Sequence, residues 1–238
     1  MRMRKKKHAE DRLEACKEYI YSHEGEALTD PSTQVYGESS RVFLEIGAGK
    51  GGFAVGMVKQ NPDAAYFAME RVTDCVVLAA ERAKREGADK LRFIIDTADN
   101  LTKIFAKGSV DAIFLNFSDP WSKKGYAKRR LTHARYLAVY THLLKDGGVL
   151  RFKTDNVGLF DFSLEQLEEV GLAPVKVTRD LHASEWNEGN VVTEYEAAFS
   201  ALGTKINMLE VVKPEGFSLE IPADLLPDRV SYKDINKE

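Results

Sequence analysis

The chain has 238 residues, 44% apolar residues and a formal net charge of -3, which is enough for one substantial hydrophobic core and predicts a single folded domain. No stretch approaches the roughly 18 apolar residues that a membrane-spanning helix needs. The basic start of the chain is followed by polar residues instead of the apolar segment of a secretory signal, so we expect a cytoplasmic protein with no membrane association.

Charge is unevenly distributed along the chain. Residues 215–238 contain six acidic and three basic side chains, which alone account for the net charge. Two clusters of bases stand out elsewhere: Arg2, Arg4, Lys5, Lys6 and Lys7, and Lys123, Lys124, Lys128, Arg129 and Arg130. Basic runs are commonly just solvated surface. Cys16 and Cys75 lack metal-ligand spacing, and we predict reduced thiols and no metal site.

Strand-like and helix-like segments alternate along the chain. An N-terminal basic arm and helix occupy residues 1–40, a central domain occupies residues 41–214 and an acidic tail occupies residues 215–238. Within the domain, strands are predicted at 41–46, 65–70, 91–95, 110–115, 148–154, 173–180 and 193–201. Helices are predicted at 51–60, 72–86, 132–144 and 159–170. This order predicts an α/β fold of the Rossmann-like kind, with a doubly wound, mostly parallel seven-stranded sheet and helices on both faces.

A glycine-rich turn follows the first predicted strand. Gly47, Gly49 and Gly52 would let the backbone approach a ligand where the amide groups of a helix converge. Their spacing also satisfies the dinucleotide pattern G-x-G-x-x-G, and Glu70 ends the next strand, where an acid can bind ribose hydroxyls. NAD and S-adenosylmethionine therefore both remain candidate cofactors for this turn.

Two features favour S-adenosylmethionine. Glu45 precedes Gly47 by two residues, and a carboxylate there would favour the cationic methionine part of that cofactor and repel a pyrophosphate. The chain is also too short to add the separate catalytic domain that many dehydrogenases have. An NAD-dependent oxidoreductase stays the alternative enzyme.

A carboxylate, a Pro-Trp pair and five cations lie together in residues 116–130. The strand predicted at 110–115 would place Asp119 at its carboxyl end, where open α/β sheets bind ligands. Trp121 either packs in the core under the loop or offers a face for base stacking, and the cations can contact phosphates. An Asp-Pro turn with solvated lysines is the plainer interpretation. The segment as a whole predicts a base-modifying site beside a phosphate-binding loop.

The chain resembles bacterial tRNA (guanine-N7)-methyltransferases, a family of class I methyltransferases. The resemblance covers residues 1 to about 214. It rests on four blocks in order: Asn116-Phe117-Ser118-Asp119-Pro120-Trp121, Lys128-Arg129-Arg130-Leu131-Thr132, Phe152-Lys153-Thr154-Asp155-Asn156 and Thr193-Glu194-Tyr195-Glu196. It implies methyl transfer from S-adenosylmethionine to guanine N7 in tRNA, at position 46 of the variable loop. We expect a monomer or homodimer with no obligate protein partner. An inactive RNA-binding protein with the same fold is the non-enzyme alternative.

The resemblance also implies a set of site residues. The cofactor would be bound by Glu45, Gly47, Gly49, Glu70, Thr97, Ala98 and Asp119. The tRNA would be bound by Lys123, Lys124, Arg129, Arg130, Asp155, Thr193, Glu194, Tyr195 and Glu196. Thr97 stands where the family commonly has an acid. Asp119 is the first candidate for catalysis and Asp155 the second, because a carboxylate near the guanine would counter the positive charge that forms on the methylated ring.

Overall fold

The computed structural model describes residues 8–38 and 40–227. Its strands are Val42–Ile46 (β1), Ala65–Met69 (β2), Leu91–Ile94 (β3), Val110–Asn116 (β4), Leu144–Thr154 (β5), Lys176–Thr178 (β6) and Asn207–Val212 (β7). They form one sheet in the order β3-β2-β1-β4-β5-β7-β6. The first five strands are parallel, and β7 is antiparallel to both of its neighbours. The predicted mostly parallel seven-stranded sheet is confirmed.

Helices cover both faces of this sheet. In the described part of the chain the α-helices are Ala9–Glu14 (α1), Pro31–Tyr36 (α2), Gly52–Gln60 (α3), Thr73–Glu86 (α4), Leu101–Ile104 (α5), Ala134–Leu143 (α6), Val157–Glu169 (α7) and Glu194–Ser200 (α8). Because successive strand side chains point to opposite faces, Leu44 packs with α5, α6 and α7 on one side, whereas Phe43 packs with α3 and α4 on the other. Strands buried on both faces explain the near-continuous apolar runs that allowed their prediction.

The strand predicted at residues 193–201 is wrong, because this segment forms helix α8. Thr193 is its N-cap: the Thr193 hydroxyl accepts a hydrogen bond from the Glu196 amide at 2.9 Å, and the Glu196 carboxylate accepts one from the Thr193 amide at 3.4 Å. This reciprocal capping box satisfies amide groups that a helix start otherwise leaves unpaired. The strand that completes the sheet is β7, which the sequence analysis did not predict and which is buried except at Val212.

The segments that flank the predicted central domain pack against it. The Tyr21 amide donates to the Phe93 carbonyl at 2.8 Å, beside β3. At the other end of the chain, Leu225 is buried, and its carbonyl accepts a hydrogen bond from the Thr102 hydroxyl at 2.5 Å. The predicted basic arm, Arg2, Arg4, Lys5, Lys6 and Lys7, and the last part of the acidic tail, residues 228–238, lie outside the described residues. None of the helices described is long and apolar enough to cross a membrane.

Gly51, the N-cap of α3, lies directly against α4 and β3. Its φ of +73° lies in the left-handed region, and a Cβ atom at this position would stand 2.9 Å from the Ala79 Cβ and 3.0 Å from the Phe93 Cζ. Both backbone conformation and space therefore require glycine here. Gly87 has a similar φ of +63°, but a Cβ atom at that position would meet nothing within 4 Å.

These two glycines provide a matched pair of variants. Gly87→Ala should cost roughly 1 kcal/mol of unfolding free energy, because only the left-handed backbone is penalised. Gly51→Ala should cost about 2–4 kcal/mol, because overpacking against Ala79 and Phe93 adds to that penalty. Urea unfolding followed by circular dichroism measures both. Equal losses in the two variants would contradict the steric role of Gly51.

Candidate active site

A cavity of about 410 Å³ opens at the carboxyl ends of β1 and β4. The strand order reverses between these two strands, and open α/β sheets bind ligands at such a point. The cavity is lined by Glu45, Gly47, Ala48, Gly49, Lys50, Gly52, Phe53, Asn116, Phe117, Thr193, Glu194 and Tyr195. A slightly larger cavity, about 480 Å³, lies between α6 and the C-terminal segment. It contains no residue of the glycine turn, so chemistry and not size identifies the site.

Glu45 is the buried acid of this cavity. Its side chain ends β1 and is 2% exposed, and the Asn116 side-chain amide donates to its Oε1 at 3.1 Å. Oε2 is buried without a direct hydrogen bond to the described residues, and the buried Tyr66 hydroxyl, likewise without one, lies near this carboxylate. Burial raises the pKa of Glu45 to about 7, against the opposing effects of Asn116 and of the positive charge of Lys153. An unpartnered buried carboxylate oxygen fits a cationic ligand such as the methionine part of S-adenosylmethionine.

The glycine turn is held from beneath by Glu70. The Gly49 amide donates to Glu70 Oε2 at 2.9 Å, and the Val72 amide donates to Oε1 at 2.9 Å. Gly47 and Gly49 have φ values of +85° and +55°, which a side chain would strain. Each Glu70 oxygen keeps a second lone pair, so bracing the turn is compatible with binding ribose hydroxyls.

Four predicted cofactor residues lie outside the cavity lining: Glu70, Asp119 and, after β3, Thr97 and Ala98. Thr97 is exposed, and its amide donates to the Asp96 carboxylate at 2.7 Å. Ala98 is buried in the core. Asp96 also accepts a hydrogen bond from the Asn100 side chain at 2.8 Å, so the carboxylate of this segment is directed to its own turn.

Asp119 lies on a strained loop after β4. Its side chain is 68% exposed and stands 3.6 Å from the guanidinium of Arg71. The aromatic residues two positions before and after it, Phe117 and Trp121, have φ values of +52° and +39°. Bulky side chains rarely adopt this conformation, which costs of order 1–3 kcal/mol at each residue. Arg130 stabilises the loop by donating to the Pro120 and Trp121 carbonyls at 3.1 and 3.2 Å.

The five cations of the basic loop, residues 122–130, have two kinds of environment: one is half-buried and stabilises the loop, and four are exposed. Arg130 is half-buried, and its guanidinium lies 4.3 Å from the centre of the Phe162 ring. The other four cations, Lys123, Lys124, Lys128 and Arg129, are exposed. Arg129 lies over the rings of both Trp121 and Tyr126, at 5.1 and 4.8 Å. The predicted phosphate-binding side chains therefore surround a small aromatic surface.

The first turn of α8 forms part of the cavity wall, and Glu194 lies close to Gly52. Thr193, Glu194 and Tyr195 all line it. The Tyr195 ring lies 4.9 Å from the Phe117 ring, and its hydroxyl donates to the Asp155 carboxylate at 3.1 Å. The structure thus brings the predicted residues Glu45, Gly47 and Gly49 into one cavity with those of α8, and Asp155 lies at its edge.

Glu196 differs from its neighbours because its side chain points into the protein. It is 0% exposed and pairs with the equally buried Lys153 at 2.6 Å. Lys153 was not among the predicted site residues, nor was Asn116, the partner of Glu45. A lysine within a strand predicted to lie in a buried sheet is a signal that could have found the pair, since buried charges require partners.

Comparisons with known proteins agree with this site. Residues 39–209 match a family model described as a putative methyltransferase. A tRNA (guanine-N(7)-)-methyltransferase of Bacillus subtilis (strain 168) is 42% identical over 211 residues, which are 89% of this chain and 98% of that protein. The 16S rRNA methyltransferase KamB has a TM-score of 0.60 at 12% identity, with 82% of this chain and 98% of that chain covered. The geranyl diphosphate C-methyltransferase from Streptomyces coelicolor A3(2), solved with S-adenosyl-L-homocysteine, has a TM-score of 0.51 at 16% identity over 86% of this chain and 76% of that one.

The sheet order, the glycine turn and the acid-lined cavity define a class I methyltransferase, an enzyme that uses S-adenosylmethionine. Within that class, the chain belongs to the tRNA (guanine-N7)-methyltransferase family, as the four sequence blocks predicted. Neither an NAD-dependent oxidoreductase nor an inactive RNA-binding protein is supported by these relatives.

The raised pKa of Glu45 predicts a pH-dependent stability. Because the folded-state pKa of about 7 lies above the ordinary value of 4.5, folding takes up a proton between these pH values. The resulting stabilisation is present below the ordinary pKa and is lost as the pH rises through about 7. Relative to Glu45→Gln, the ligand-free protein should lose about 2–3 kcal/mol of unfolding free energy between about pH 5 and pH 8. Parallel urea titrations measure this difference, and a constant difference across the range would refute it.

Proposed function

We propose that this enzyme transfers a methyl group from S-adenosylmethionine to N7 of a guanosine in tRNA, at position 46 of the variable loop. The observation that carries this proposal is the adjacency of two unlike surfaces. A cavity with an unpartnered buried carboxylate oxygen, that of Glu45, lies beside an exposed loop with four solvent-facing cations. The first surface suits a cationic cofactor and the second suits a polyanion.

The cofactor would be held by Glu45, the glycine turn and Glu70. Glu45 would satisfy its free oxygen against the cationic methionine part, and Gly47 and Gly49 allow close backbone approach. Glu70, at the end of β2, would accept hydrogen bonds from ribose hydroxyls. When bound, S-adenosylmethionine supplies an electrophilic methyl group on a sulfonium centre.

The protein's task in this reaction is alignment and electrostatics. Guanine N7 is an in-plane acceptor that bears no proton, so its attack on the methyl carbon needs no general base. The protein must hold N7 in line with the methyl carbon and the sulfur, and such orientation can supply much of the rate enhancement. Asp119 would lie near the guanine and counter the positive charge that develops on the ring.

The aromatic wall would orient the base. Phe117 and Tyr195 line the cavity with ring centres 4.9 Å apart, and a guanine stacked on either ring would gain about 1–3 kcal/mol. Asp155 orients Tyr195 through its hydroxyl. Thr193 and Glu194 would complete the side of the pocket that faces the substrate.

The basic loop would bind the tRNA backbone, with Lys123, Lys124 and Arg129 on phosphates and Arg130 supporting the loop.

We also propose that residues 41–214 form the methyltransferase domain, between the basic arm of residues 1–40 and the acidic tail of residues 215–238. The enzyme would act in the cytoplasm as a monomer or homodimer without an obligate protein partner.

Asp119→Asn should abolish most of the activity while preserving the fold. With saturating cofactor and unmodified tRNA, the single-turnover rate of 7-methylguanosine formation should fall by about a hundredfold, because one electrostatic contact to the transition state is lost. Asp63→Asn, at an exposed acid before β2, is the matched control and should react at the wild-type rate. An unchanged rate for Asp119→Asn would remove Asp119 from the mechanism, and a methylated nucleoside other than 7-methylguanosine would overturn the proposed target.

The phosphate role of the basic loop predicts a change in salt dependence. Lys123→Gln and Lys124→Gln should each weaken tRNA binding and reduce the slope of log Kd against log salt concentration by about 1, since each lysine releases about one counterion. Lys59→Gln, at the far end of α3 where its amine pairs with Glu86, is the control and should leave the slope unchanged. Filter binding over a range of salt concentrations measures all three. Slopes identical to that of the wild type would show that the loop is solvated surface only.

A further inference from the structure

All three hydrogen-bond donors of Lys153 are used by residues 190–196. Its side chain, near the end of β5, is 1% exposed. Its ammonium group donates to the Asn190 side chain at 2.9 Å, to the Val191 carbonyl at 3.0 Å and to the Glu196 carboxylate at 2.6 Å. An ammonium group has three donors, so none remains for a ligand.

Glu196 is engaged just as completely. Oε2 accepts from Lys153 and from the Thr193 amide, and Oε1 accepts from the Asn190 side chain at 2.8 Å. The Nε2 atom of His182 also lies 3.1 Å from Oε1. With 0% exposure and these partners on both oxygens, the carboxylate presents no free surface to the cavity.

The pair joins two parts of the site. Glu196 lies in the first turn of α8, whose residues Thr193, Glu194 and Tyr195 line the cavity. Lys153 belongs to β5, two residues before Asp155, and its ammonium lies 5.1 Å from the ring of the lining residue Phe53. The wall of the cavity is therefore tied to the sheet through one buried ion pair.

Stability alone does not account for a pair of this kind. Removing two charges from water costs about as much free energy as their attraction returns, and apolar groups of similar size often serve as well. What an ion pair with directional hydrogen bonds provides is a defined position. Val191, whose carbonyl accepts a hydrogen bond from Lys153, is itself closely packed against α3, since a Cβ atom on Gly56 would stand 2.5 Å from its Cγ1.

We propose that Lys153 is a positioning residue for methyl transfer, and that Glu196 acts through Lys153 to place the first turn of α8 and does not itself contact guanine. This inference rests on the proposed function and assigns to Glu196 a different role from that of its neighbours. A displacement of about 1 Å in a substrate-orienting group can reduce a rate by about a hundredfold.

The test is a double-mutant cycle with Lys153→Met, Glu196→Met and the double variant. Single-turnover rates and the KM for tRNA are measured per cofactor-binding site, titrated with S-adenosylhomocysteine, so that unfolded protein does not contribute. Each single variant leaves an unpaired buried charge and should lower the rate by about a hundredfold, with the KM changed by less than about threefold. The double variant should recover to within about tenfold of the wild type, because no unpaired buried charge then displaces the first turn of α8; the loss that remains measures the directional hydrogen bonds of the pair.

Arg151→Met is the control. Arg151 lies two residues before Lys153 on β5 and pairs with Glu210 at 2.8 Å, outside the cavity lining. Its loss should lower the melting temperature and leave the rate per binding site unchanged, which separates positioning from general stability.

The remaining outcomes decide between the alternatives. A double variant as slow as Glu196→Met would overturn the inference, because a direct contact between Glu196 and guanine cannot be restored by removing Lys153. A double variant that fails to fold would overturn it as well, since the pair would then be required for the fold. If the single variants do not fold, the inference is tested by the double variant alone: a single-turnover rate within about tenfold of the wild type supports it, and a slower rate overturns it. Absence of 7-methylguanosine with the wild-type enzyme would contradict the proposed function itself.

Discussion

The adjacency of β1 and β4 determines where chemistry can occur in this protein. These strands are consecutive in the sheet but separated in the chain by two further strands, so the connections that leave their carboxyl ends diverge and open a crevice. The glycine turn follows β1 and the Asp119 loop follows β4. Asn116 at the end of β4 reaches Glu45 at the end of β1. Every other element of the site packs around this junction.

Buried charge of opposite sign organises the floor of the site. Glu45 and Lys153 are both almost inaccessible, and burial shifts their pKa values in opposite directions, up for the acid and down for the amine. Each charge partly offsets the shift of the other. The two charged groups differ in their hydrogen bonding. Lys153 has a partner for each of its three donors, whereas one oxygen of Glu45 has no direct hydrogen bond to the residues described. Glu45 lines the cavity, so the same interior contains one charge used for structure and one beside the proposed cofactor site.

The sequence predicted the sheet better than it predicted the wall of the site. Apolar runs identify β1, β2, β3, β4 and β5 because burial on both faces leaves no alternation to confuse them. Residues 194–197 alternate polar and apolar side chains, a pattern compatible with a strand. The helix signal that was overlooked is Thr193 followed three residues later by Glu196. The inward direction of Glu196 depends on Lys153, 43 residues earlier in the chain. No local pattern contains that information.

The left-handed backbone at Phe117 and Trp121 has a consequence for how this enzyme can change. Glycine would relieve the strain at either position, but it would also remove ring packing, which for Phe117 includes contact with the buried cluster of Leu181, Ile206 and Met208. The same substitution would remove an aromatic ring, from the cavity in one case and from beneath Arg129 in the other. The strained backbone at these two residues is therefore a local cost of placing two aromatic rings, one in the cavity and one against the basic loop.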